Sequence, residues 1–64
     1  MKEAATIEFK DAESSDEAVA IVRYEESRVA LCLSLKSNGD FEVVMSKADA
    51  GKLAEVLKMA LSQA

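Results

Sequence analysis

The run VALCLSL, Val29 to Leu35, alternates large aliphatic side chains with small or polar ones, and an Asn38-Gly39 pair and the segment FEVVMS, Phe41 to Ser46, follow it. A two-residue period is that of a strand with one apolar face, and a turn signal between two such runs makes a hairpin. A one-residue slip in pairing would move every leucine to the other face, so the hairpin has few acceptable registers. A two-residue turn of Asn38 and Gly39 would set Leu35 against Glu42 and Lys36 against Phe41. A three-residue loop of Ser37, Asn38 and Gly39 sets Leu35 opposite Phe41, Leu33 opposite Val43, Leu31 opposite Met45 and Lys36 opposite Asp40. The second arrangement keeps apolar residues together and is the expected one, with Gly39 in the left-handed conformation that glycine adopts without steric cost.

The other elements follow from the same kind of reading. ATIEFK, Ala5 to Lys10, alternates Ile7 and Phe9 with polar residues, and AVAIVRY, Ala18 to Tyr24, is rich in β-branched side chains; both read as strands. Between them Asp11 to Glu17 is acidic, serine-containing and aperiodic, as an exposed loop is. A turn at Glu26 and Ser27 would place Glu25 opposite Arg28, and Tyr24, Val22 and Ala20 opposite Val29, Leu31 and Leu33. After FEVVMS, Ser46 and Asp49 stand at capping positions of a helix. Ala50, Leu53, Val56, Leu57, Ala60 and Leu61 form its apolar stripe, with Lys52, Glu55 and Lys58 outside it. Gly51, unfavourable inside a helix, suggests a close approach of helix to sheet.

The expected architecture is a single α+β domain over residues 1–64: a four-stranded antiparallel meander, β-β-β-β-α, with the C-terminal helix packed across one face. That face carries Ile7, Phe9, Val22, Tyr24, Val29, Leu31, Leu33, Leu35, Phe41, Val43 and Met45. A domain of this length buries only about 60% of the surface its unfolded chain exposes, and such domains usually need cross-links, metals or partners. One cysteine and no histidine allow neither an internal disulfide nor a zinc site.

The same residue counts weigh against catalysis. Without histidine the commonest general base is missing, and no phosphate-binding or dinucleotide glycine pattern occurs. Glu8, Glu42 and Glu55 occupy polar positions of regular elements, where solvated surface is the expected role. Cys32, between Leu31 and Leu33, reads as a small hydrophobe. No catalytic residue, metal ligand, cofactor or small-molecule ligand is expected, and the chain reads as non-enzymatic.

An expected partner surface emerges from the second face of the sheet, where Val19, Ile21, Ala30, Cys32 and Val44 cluster. That is more apolar surface than an open sheet needs. A homodimer or a partner protein covering it is the main expectation, and the acidic loop folding over it is the alternative cover. A different reading assigns the open face to single-stranded nucleic acid, with Arg23, Arg28 and Lys36 as contacts. The order of four antiparallel strands and a C-terminal helix resembles that of the small dimeric single-stranded-DNA-binding coactivators, a likeness of topology without a shared motif. It implies a regulatory dimer. Against it, the net charge of −4 disfavours polyanions. No apolar stretch reaches the roughly 18 residues of a membrane span, and MKEAATIEFKD lacks the apolar core of a secretory signal, so a cytoplasmic location is expected.

Overall fold

A computed structural model describes residues 1–64. Its elements are β1 (Lys2–Lys10), β2 (Glu17–Glu25), β3 (Arg28–Leu35), β4 (Gly39–Ser46) and α1 (Lys47–Gln63). The strands form one antiparallel sheet in the order β1-β2-β3-β4. The α+β meander with a C-terminal helix is the architecture that the alternation and the helical stripe predict.

Two registers test the hairpin reasoning. Between β2 and β3, Glu25 pairs with Arg28, Tyr24 with Val29, Val22 with Leu31 and Ala20 with Leu33, as expected. Ser27 closes this turn at φ 63°. Between β3 and β4 the pairing is shifted by two residues from the expectation: Leu35 lies opposite Gly39, Leu33 opposite Phe41 and Leu31 opposite Val43. The loop is Lys36, Ser37 and Asn38, closed by Asn38 N–H donating to Leu35 O at 3.2 Å. Gly39, at φ 81°, is left-handed as expected but opens the new strand. A two-residue slide keeps every side chain on its face, which is why alternation alone does not distinguish the two registers.

The acidic loop does not fold over the sheet's second face. The Asp11 carboxylate accepts from Ser14 Oγ at 2.6 Å, and that of Asp16 accepts from Ser37 N–H and Oγ at 3.1 and 2.6 Å. Lys36 N–H donates to Glu17 O at 3.0 Å. The bonds at Asp16 and Glu17 clamp the β1–β2 loop to the β3–β4 loop at one end of the sheet, and the Asp11–Ser14 bond closes the first loop on itself.

The helix starts as the sequence implies and goes elsewhere than expected. Ser46 Oγ accepts from Asp49 N–H at 3.1 Å, capping the first turn. Ser46 is also the last residue of β4, so no residue separates strand from helix. A chain that must reverse over a sheet face normally uses a connection of two or more residues. Here Ser46 stays extended, at φ −68° and ψ 160°, and Lys47 N–H donates to Ser27 O at 3.0 Å. The helix is thereby launched from the end of the sheet, and among the strands it touches only β3 and β4. None of its residues is buried, which corrects the expectation that it packs across the sheet. Gly51 faces open space, so the close approach inferred from it does not occur within the chain.

The result is a chain without a core of its own. Only Ala18 and Ala30 are buried. The radius of gyration is 12.8 Å, where a compact chain of this length has about 11 Å.

Candidate functional site

Period-two alternation sorts the sheet into two chemically different faces. On the first, cross-strand rows run Ile7–Ala20–Leu33–Phe41, Phe9–Ala18–Leu35–Gly39 and Ala5–Val22–Leu31–Val43, with Tyr24, Val29 and Met45 beyond. The expected face composition is met in full. What differs is its state: Ile7, Phe9, Tyr24, Phe41 and Val43 are each between 45% and 61% exposed. With the helix elsewhere, nothing in the chain covers them.

This face has relief. Ala18 and Ala20 on β2 are short, whereas Ile7 and Phe9 on β1 and Leu33 and Leu35 on β3 stand to either side. The outcome is a local hollow at the Ala18 end of β2, a groove of about 290 Å³ lined in part by Phe9, Ala18, Leu33, Leu35 and Phe41, whereas Val22 and Tyr24 fill the same face at the other end of the strand.

The second face holds the residues expected to meet a partner, together with the expected nucleic-acid contacts. Ile21 pairs with Cys32, Val19 with Ser34, and Ala30 lies between Arg23 and Val44. Ala30 is buried and adds no surface; Val19, Ile21 and Cys32 are half-buried, and Val44 is exposed. Arg23 Nη1 meets Glu42 Oε2 at 3.1 Å, bridging diagonally from β2 to β4 across β3. This face is thus partly roofed by its own ion pair.

The three expected cationic contacts are all engaged. Arg23 pairs with Glu42, Arg28 with Glu25, and Lys36 Nζ lies 3.3 Å from Glu17 Oε2. The Arg28 guanidinium hydrogen-bonds Glu25 and holds its carboxyl below the usual range. Hydrogen bonds from Ser14 and Ser37 likewise hold Asp11 and Asp16 below theirs. A single-strand binder needs stacking aromatics and cations on one surface. Here Phe9, Tyr24 and Phe41 occupy the first face, and Arg23 and Arg28 the second.

Comparison with protein families, with curated proteins and with solved structures returned no match. The surface itself therefore carries the functional argument. Alternation places Ile7, Phe9, Leu33 and Phe41 on one apolar face, as expected, but the helix of the same chain does not cover it. The signal that separates these outcomes is the absence of any residue between MS at the end of β4 and KADAGK at the start of α1.

Proposed function

We propose that the chain is a non-enzymatic interaction module that self-associates through its sheet. One observation carries this: two buried alanines are the whole interior, while the Ile7/Phe9/Leu33/Phe41 face lies open. A contiguous apolar patch of this kind marks an interaction surface. The area supports the same reading. A folded 6.9 kDa protein is expected to expose about 4,000 Å², and the isolated chain exposes 5201 Å². Hiding that excess on both members of a pair removes about 2,400 Å², inside the range of obligate homodimers.

The experiment is sedimentation equilibrium with thermal unfolding at several chain concentrations. Twice the chain mass, and an unfolding midpoint that rises with concentration, are the expected results. A cooperatively folding species at the 6.9 kDa chain mass at sub-millimolar concentration contradicts the proposal. The nucleic-acid reading has less support, because aromatics and cations face opposite ways and the cations are paired. Salt-sensitive binding of short single-stranded oligonucleotides would reverse that ranking.

A further inference from the structure

The apolar stripe of α1 is as unpartnered as the open sheet face. Ala50 is half-buried beside the strands, and then exposure climbs along the stripe, from 39% at Leu53 to 56% at Leu57 and 76% at Leu61. The helix therefore moves away from its own sheet as it proceeds. The chain thus carries two uncovered apolar surfaces that it cannot bring together, because no residue lies between β4 and α1 to let the helix turn back.

We infer that the two surfaces meet between copies: the Leu53/Leu57/Leu61 stripe of one chain lies across the open Ile7/Phe9/Leu33/Phe41 face of a second copy, over the hollow at Ala18, and the partner's helix returns the contact. The inference rests on the self-association proposed above and specifies its geometry. Dimensions agree. Seventeen residues of helix span about 25 Å, and strands of eight or nine residues span about 26 to 30 Å. The strands flanking β2 stand roughly 9.5 Å apart, narrower than a helix with its side chains, about 10 to 12 Å, so the helix rides above β2 on the side chains of β1 and β3. The small Ala18 and Ala20, between Ile7 and Phe9 on one side and Leu33 and Leu35 on the other, leave room there for leucines of the partner helix. Closure at two chains requires the copy that accepts a helix to return its own to the donor; an exchange passed on to a third copy would build a ring or filament, and a mass above two chains would overturn the reciprocal form. Reciprocal exchange covers both surfaces at once, whereas pairing helix with helix would leave Ile7, Phe9 and Phe41 in water.

The test uses the native chain. Isotope-labelled and unlabelled protein are unfolded, mixed and refolded, and an isotope-filtered NOE spectrum records contacts between copies alone, with mass measured on the same sample. The expected result is a mass of two chains, with intermolecular contacts from the Leu53, Leu57 and Leu61 methyls to the Phe9 and Phe41 rings and to Ile7 and Leu33. A two-chain mass with intermolecular contacts only between helices, or only through Val19, Ile21, Cys32 and Val44, overturns the helix exchange and leaves self-association standing. A single-chain mass overturns both.

Discussion

The two faces of the sheet use the same strands and differ in almost every other respect. One is a continuous aliphatic and aromatic surface from Ile7 to Phe41 that nothing in the chain covers. The other mixes Val19, Ile21, Cys32 and Val44 with charge and lies partly under the Arg23–Glu42 bridge. By residue type the mixed face is the unusual one, since solvent-facing sheet surface is normally more polar. By exposure the apolar face is the unusual one. Composition thus identifies which surface is unfavourable in water, and connectivity decides whether the chain can bury it unaided.

The sharpest way to break this comparison is to truncate one residue on each face. Phe41→Ala removes apolar area that the proposed pairing would bury. At about 1.5 to 3 kcal/mol per side chain, and two copies per pair, the dissociation constant should rise at least about a hundredfold. Val44→Ala, on the mixed face, should leave it within a few-fold. Sedimentation equilibrium of both variants decides between the faces, and equal losses would remove the distinction drawn here.

Smaller effects probe the helix that the comparison leaves without a partner in its own chain. Ser46→Ala deletes the cap that receives Asp49 N–H and should lower stability by about 1 kcal/mol in urea unfolding. Gly51→Ala should raise it by about 0.5 to 1 kcal/mol, because alanine is the better helix former and a Cβ there meets nothing in the chain. A loss at Gly51 would place the partner's sheet against that side of the helix. On the mixed face, Glu42→Gln removes one partner of a bridge whose side chains are 40% and 42% exposed. Exposed pairs of this kind contribute about 0.2 to 1 kcal/mol, so the unfolding midpoint should barely move.

Asp16 and Asp11 have folded-state pKa values depressed below 3.8, through hydrogen bonds from Ser37 and Ser14 first of all. A depressed carboxylate contributes stability that is fully present above its unfolded value and is lost as pH falls through its folded one. The Asp16–Ser37 clamp between the β1–β2 and β3–β4 loops should therefore loosen as pH falls below 3.8, while protonation of Asp11 affects the first loop alone. Amide hydrogen exchange at Ser37 reads this directly, and in Ser37→Ala the acid dependence of the neighbouring amides should shrink.

Much of the fold was legible residue by residue. Val29, Leu31, Leu33 and Leu35 declared a strand and its face; Ser46 and Asp49 declared where the helix begins. The β3–β4 register was legible only to within two residues, because any even slide preserves the faces, and the choice fell to the hydrogen bond between Asn38 and Leu35. The candidate site was legible as a face and illegible as a surface. Its residues have the composition of a core, and composition is silent on whether a core is completed by the same chain or another.

What the sequence determined by itself is local: strand alternation, helix periodicity, the cap at Ser46, the left-handed glycine at 39, and the segregation of apolar side chains onto one side of four strands. These depend on neighbours a few residues apart, and their periods are written in the order of residue types. Only the tertiary structure decided where the helix lies and which face stays open. That outcome turns on the extended backbone of Ser46 and the bond from Lys47 N–H to Ser27 O, which direct α1 off the end of the sheet. The helix direction is thus set by a single junction that hydrophobic patterning does not encode, and with it the open Ile7/Phe41 face.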